Sequence, residues 1–282
     1  MSSPDNAKAP PASEDDVLYE LHDGVARITL NRPDAGNALT PDQRDRLIEL
    51  FDAASVDLAV RVVVLGSTGR HFCTGADLRV SRVEESSRPE GAPERTMGDV
   101  GRLIKRGAQR LVTSVIDCEK PVIAAVNGTA AGIGVHLALA CDLIVAADSA
   151  RFIEVFVRRG ITPDGGGAYL LTRRLGLARA KELVFFGDDL SATDAVSIGL
   201  INRAVPADQL DATVDEWAGR LATGPTKAIS LSKWLLNRAP DSDRGSAFDD
   251  EAWAQELASR TDDFTEGVQA FVERREVSFK GW

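Results

Sequence analysis

Cysteine is scarce in this chain of 282 residues: Cys73, Cys118 and Cys141 are odd in number and far apart. That spacing excludes a disulfide framework or a zinc ribbon and fits a reducing cytoplasm. No apolar run approaches the roughly 20 residues that would span a bilayer, so no membrane partner is expected. The opening residues, MSSPDNAKAPPA, lack the basic start and apolar centre of a signal peptide. Being rich in Pro, Ala and Ser, residues 1–14 are expected to form a disordered tail. Basic residues are the minority, 33 against 43 acidic, for a formal net charge of −10. Without a clustered basic face the chain is a poor nucleic-acid binder, and an anionic ligand would depend on a few local Arg and Lys.

Apolar residues make up 44% of the chain, enough for a sizeable core. All four tryptophans (Trp217, Trp234, Trp253, Trp282) fall in the last 66 residues, which suggests a distinct packing role there, such as subunit contact. Residues 17–20 and 25–30 alternate about His22-Asp23-Gly24, a hairpin signal. Residues 41–55 have helical spacing with Thr40 as N-cap, and 62–65 read as a short buried strand. Polar residues 81–93 predict a mobile loop or frayed helix, and 97–117 a single helix. Apolar runs at 121–126 and 143–147 predict strands, with a helix after Gly132 between them. Alternation continues to 201–205; beyond Pro206 only helical patterns remain, at 209–222, 226–236, 246–260 and 262–275. The pattern describes an α/β body with a helical appendage.

Two loops carry the chemistry. Asn127-Gly128-Thr129-Ala130-Ala131-Gly132-Ile133-Gly134-Val135-His136 links an apolar strand to a helix through small residues. Unpaired N–H groups at such a helix mouth can hold an anion, or the oxygen that becomes negative on a reacting carbonyl. His71-Phe72-Cys73-Thr74-Gly75-Ala76-Asp77-Leu78-Arg79 also follows a strand and has a glycine with small neighbours. Two loops of this kind can aim two backbone donors at one carbonyl oxygen; they can equally be unrelated turns of an α/β core.

Several segments decide between those readings by resemblance. Residues 30–40 (LNRPDAGNALT), 72–79 (FCTGADLR), 121–134 (PVIAAVNGTAAGIG), 140–144 (ACDLI) and 271–280 (FVERREVSFK) resemble, in order, the enoyl-CoA hydratase/isomerase (crotonase) family. The resemblance runs from about residue 17 to the end of the chain. It implies a crotonase-like α/β spiral of ββα units over residues 15–205, followed by an α-helical trimerisation region over 206–282. It also implies a homo-oligomer, a trimer or dimer of trimers, acting on an acyl-CoA thioester. Coenzyme A enters as part of the substrate, and no metal or redox cofactor is indicated.

Transferred residue by residue, the family pattern assigns the oxyanion-hole amides to Ala76 and Ile133, the latter in place of a more usual glycine. It assigns CoA contacts to Ala35, Asp77, Leu78 and Arg79, with Phe279 and Lys280 reaching the nucleotide, often that of a neighbouring subunit. Asp34 stands where many relatives have Lys, so fewer charge contacts to phosphate are expected. The two glutamates that hold water in typical hydratases correspond here to His136 and Phe156, and a phenyl ring cannot transfer a proton. His136 is either an acid/base group or a space-filling histidine. Asp164 resembles the single carboxylate of isomerase-type members, although it is also placed to N-cap a helix near Gly165. Glu154 is a weaker candidate, and Arg158-Arg159 are expected to meet acidic residues across a subunit contact. The implied reaction is double-bond isomerisation through a thioester enolate. An atypical hydratase, a hydrolase or ring-opening enzyme, and a non-catalytic acyl-CoA-binding protein are the alternatives.

Overall fold

A computed structural model describes residues 16–79, 91 and 97–282. The expected N-terminal tail and most of the expected mobile loop lie outside the described residues.

Two sheets organise the body. The larger has six strands in the order β1-β2-β3-β5-β7-β10: β1 (Val17–His22), β2 (Val25–Leu30), β3 (Val62–Ser67), β5 (Val122–Val126), β7 (Leu143–Ala147) and β10 (Arg203–Val205). Only the β1–β2 hairpin is antiparallel; Asp23 and Gly24 turn it, both at positive φ, as a tight two-residue hairpin requires. The smaller sheet runs β4 (His71–Cys73), β6 (Thr129–Ala131), β8 (Arg151–Ile153), β9 (Asp189–Ser191), with only β9 antiparallel to its neighbour. Each of the pairs β3/β4, β5/β6 and β7/β8 sends its first strand to one sheet and its second to the other. Helix α1 (Pro41–Val56) follows the β1–β2 hairpin; α2 (Asp99–Arg106) with α3 (Ala108–Ile116), then α4 (Ile133–Ala140) and α5 (Gly167–Phe186), follow the three pairs in turn.

The central strands are buried on both faces, so they read as continuous apolar runs, as parallel sheets do. Val62, Val64, Ile123, Ala125, Val145 and Ala147 point to one face, where Leu210, Val214, Ala218 and Ala222 of α7 (Leu210–Ala222) cover them at intervals of one helical turn. Val63, Leu65, Val122, Ala124 and Val126 face the main core, with Leu47 and Phe51 of α1 and Leu111 and Val115 of α3. Helix α1 starts as expected: Thr40 and Gln43 form a reciprocal capping box, and Pro41 sits at the first turn. After α6 (Ala192–Ser197) and α7 come α8 (Thr226–Arg238), α9 (Arg244–Ala258) and α10 (Asp262–Glu273). Among the described residues no helix is long and apolar enough to cross a membrane.

Two expectations need correction. The helix expected over 97–117 is two helices, broken at Gly107 (φ −101°, ψ −98°), where a Cβ would stand 2.7 Å from the Leu103 carbonyl oxygen. The segments expected to be loops at 71–73 and 129–131 are strands of the smaller sheet. At three residues each they are too short for periodicity to reveal, and only pairing with distant segments defines them.

Candidate active site

The two glycine-containing loops lie side by side. A Cβ at Gly75 would stand 3.3 Å from the Ala131 carbonyl oxygen, and one at Gly134 only 2.1 Å from that of Cys73. Glycine is required at this junction for close approach and for backbone shape. Gly75 (φ +115°) and Gly132 (φ +56°) immediately precede Ala76 and Ile133, in conformations that residues with a Cβ rarely adopt.

The amides of those two residues are left out of the surrounding ladders for different reasons. Leu39 bridges Ala76 in parallel fashion: the Leu39 amide donates to the Gly75 carbonyl (2.8 Å) and the Asp77 amide donates to the Leu39 carbonyl (2.9 Å). That bridge uses the groups flanking Ala76 and not its own N–H. Ile133 is the first residue of α4, ahead of the first bonds to the Gly132 carbonyl, which come from Val135 and His136; Gly132 has no side chain to cap it.

Ala76 and Ile133 line one cavity of about 300 Å³ together with Asp164. Leu39, Leu78, Ala108 and Leu111 supply most of its apolar wall, and Thr40, Pro41, Arg44 and Asp77 complete it. Burial pushes the Asp164 carboxyl above the ordinary aspartate range, a shift partly opposed by the charge of His136. Its backbone carbonyl accepts a bond from Nε2 of Gln109 on α3 (3.2 Å). The expected capping role does not hold: α5 begins at Gly167, and Gly166 (φ +88°) caps it without a side-chain bond.

His136 does not reach this cavity. Its side chain is fully buried behind Ile133, with Nε2 3.2 Å from Oε2 of Glu154 and the ring stacked on Phe156 (centroids 5.1 Å apart, planes 10° off parallel). Glu154 therefore faces neither solvent nor the cavity. Arg158 pairs within the chain with Asp189 at 3.3 Å.

Of the expected CoA contacts, Leu78 is exposed at the cavity rim, whereas Asp77 is buried and its carboxylate is engaged: Arg79 binds it through two nitrogens (2.9 and 3.0 Å) and Arg32 through one (3.2 Å). The Arg79 bonds hold Asp77 down at about 2, against the effect of burial. Ala35 lies in a short turn, Pro33–Ala35, outside the cavity wall. Phe279 and Lys280 are not brought to the cavity within one chain. Phe279 lines an apolar hollow of about 490 Å³ with Phe264, Val268 and Phe271 of α10, while the Lys280 amide donates to buried Asp263 (2.7 Å).

Sequence reasoning missed two residues that build the site. Arg44, on α1, contributes to the cavity wall. Asn37 is buried at φ +54°: its Oδ1 accepts the Arg32 amide, and its Nδ2 donates to the carbonyls of Thr68 and His71. An asparagine directly after Gly36 was the available signal, because Asn tolerates left-handed backbone and bonds nearby main chain.

Paired sheets joined by successive β–β–α turns, with residues of two adjacent loops and Asp164 lining one mainly apolar cavity, define a crotonase-type fold. The enoyl-CoA hydratase/isomerase family model matches residues 20–282, and the chain belongs to that family. It is 38% identical over 266 residues to 1,2-epoxyphenylacetyl-CoA isomerase of Escherichia coli, covering 94% of this chain and 98% of that protein. It is 36% identical to short-chain-enoyl-CoA hydratase of Clostridium acetobutylicum, covering 93% and 96%. Among solved structures, an enoyl-CoA hydratase of Mycobacterium smegmatis superposes with a TM-score of 0.84 at 31% identity, covering 94% of this chain and 98% of that one. The protein is an acyl-CoA enzyme of this family.

Proposed function

We propose that the protein shifts the double bond of an enoyl-CoA, with Ala76 and Ile133 as oxyanion donors and Asp164 as the proton carrier. The observation that carries this reading is that Ala76, Ile133 and Asp164 line one mainly apolar cavity, whose other carboxylate, Asp77, is already engaged by Arg79 and Arg32. In this mechanism the thioester oxygen accepts both N–H bonds, and Asp164 takes a proton from the acyl chain. The electron pair moves into the π-system, leaving an enolate held by the two donors. Asp164 then returns the proton at another carbon, so the product has the substrate's mass and no water is consumed. Phe156 at one usual glutamate position supports a one-carboxylate reaction, as does the likeness to a relative named as an isomerase.

Replacing Asp164 with Asn should lower turnover by at least about 100-fold, the usual contribution of general acid–base transfer, while leaving CoA-ester binding within a few-fold. Full turnover by that variant eliminates the assignment. Relatives named as hydratases favour a second reading, addition of water by an altered acid/base set. Turnover in ¹⁸O-labelled water with mass analysis of the product separates the two, because only hydration adds 20 mass units, about the mass of H₂¹⁸O.

The same proposal places the enzyme in the cytoplasm as a trimer or dimer of trimers. Trp234, Trp253 and Phe271 leave large apolar surfaces open on α8, α9 and α10, which supports self-association, and Phe279 and Lys280 would then serve a neighbouring copy's CoA. A monomer by sedimentation velocity at micromolar concentration would rule this out.

A further inference from the structure

The side chain of Ile133 has a place in the cavity distinct from that of its amide. Ile133 is 7% exposed and lines the cavity together with Asp164. Its Cδ1 reaches the Asp164 loop, since a Cβ at Gly165 would stand only 2.2 Å from it. Unbonded carbons settle about 3.5–4.0 Å apart, so the loop lies against Ile133 only because residue 165 has no side chain. The same Cβ position meets Ala108 of α3 at 3.7 Å, and the other proposed donor belongs to Ala76. Beside these small residues, Ile133 is the bulky one that spans from the mouth of α4 to the residue after Asp164.

That span is firmly held. All eight residues of α4 are buried, and a β-branched side chain on a helix has one strongly preferred χ1 rotamer. Glycines clamp the helix from two sides. A Cβ at Gly134 would meet the Cys73 carbonyl oxygen at 2.1 Å, and one at Gly167 would meet Nε2 of His136 at 2.0 Å. At about 300 Å³ the cavity is small for a ligand site, which leaves little room to divert a substituent elsewhere.

In the proposed isomerisation the thioester oxygen rests on the Ile133 amide, while Asp164 reaches acyl carbons a few bonds away. Those carbons then pass beside the Ile133 side chain, because amide and side chain leave one residue and the side chain ends at the Asp164 loop.

We propose that the Ile133 side chain determines acyl specificity, admitting enoyl groups unbranched beside the thioester and excluding those with a methyl branch or ring there. The proposal rests on Ile133 and Asp164 flanking the reacting carbons, as in the proposed function. It narrows the substrate class to straight-chain enoyl-CoA esters.

The test compares a straight-chain enoyl-CoA with its homologue carrying a methyl branch on the carbon next to the thioester. In the wild type, kcat/KM should favour the straight chain by at least about 10-fold, the lower end of what one carbon is worth in an apolar pocket. Ile133→Ala keeps the amide and trims the side chain to its Cβ, so the preference should shrink to about two-fold or less. Calorimetric titration with the two saturated analogues should show the affinity ratio moving the same way, without any proton transfer. A purely structural role lowers the values for both esters alike and leaves both ratios in place, which would overturn the proposal. Equal use of the two esters by the wild type overturns it as well.

Should Ile133→Ala fail to fold, Ile133→Val removes only Cδ1, the atom against Gly165, and should relax both ratios by a few-fold. Ratios unchanged in that variant overturn the proposal. Full turnover by Asp164→Asn overturns the proton-carrier reading instead, and the affinity ratios still decide the role of Ile133.

Discussion

The guanidinium of Arg32 reaches the buried carboxylate of Asp77 at 3.2 Å, tying the loop after β2 to the loop after β4. Arg79 binds the same carboxylate from the exposed side, and the Asp77 amide holds the Leu39 carbonyl next to Ala76. One side chain thus fixes the backbone on which a proposed donor sits.

Asp77→Asn should loosen that loop and cost about 1–2 kcal/mol at pH 7, since part of the interaction is with an exposed arginine. The folded carboxyl lies near 2, below its unfolded value, so its stabilisation is full at neutral pH and is lost as the pH falls from about 4 through 2. Urea unfolding of wild type and variant should therefore show a gap at pH 7 that narrows towards pH 3. A gap independent of pH would contradict the charge argument.

Gly134→Ala should be damaging, because its methyl would collide with the Cys73 carbonyl oxygen and push α4 away from β4. Overpacking of this kind costs about 1–3 kcal/mol, and kcat should fall with it as the two loops separate. Gly101→Ala is the control: nothing lies within 4 Å of its Cβ position on α2, and the same change there should stabilise by about 0.5–1 kcal/mol. Thermal melts and turnover of the two variants test both signs.

Asp142→Ala should be the most destabilising of these changes. Lys233 of α8 is buried with its ammonium 2.8 Å from the Asp142 carboxylate, which also accepts the Val122 amide at 2.7 Å. Removing the acid leaves a buried cation with only the Val115 and Lys120 carbonyls, at a cost of about 3–5 kcal/mol. Replacing both partners with apolar residues should cost less, and a double-mutant cycle in denaturant reads the difference.

Asp164→Asn should melt at a higher temperature than the wild type at pH 7 while losing turnover. The raised carboxyl favours the folded state below the ordinary aspartate range, and that contribution disappears as the pH rises through the raised value. A neutral amide avoids the penalty of ionising a half-buried acid. Calorimetry at pH 7 and pH 4 should show the advantage of Asn shrinking in acid.

Much of the frame was legible because its residues obey short-range rules. Thr40 announced the start of α1, Asp23-Gly24 the hairpin, and the valines of β3 a buried strand. The loops carrying Ala76 and Ile133 were legible from their glycines and from resemblance. The smaller sheet was not, because β4, β6 and β8 exist only through pairing between residues about 20 to 60 positions apart. Nor could spacing show that His136 turns away from the cavity to meet Glu154, a contact between α4 and the residue just after β8. The break at Gly107 was hidden by a helical pattern that continues across it; Arg44, packed against that glycine, belongs to a different helix.

Ala76 and Ile133 line the cavity, and the role proposed for them belongs to main chain, which mutation alters least. Short of proline, no single substitution at either position deletes an amide hydrogen. Under the proposed function, the surrounding side chains can therefore drift towards new acyl groups while the electrophilic half of the chemistry is inherited unchanged. A lineage built this way can diversify its reactions faster than its scaffold.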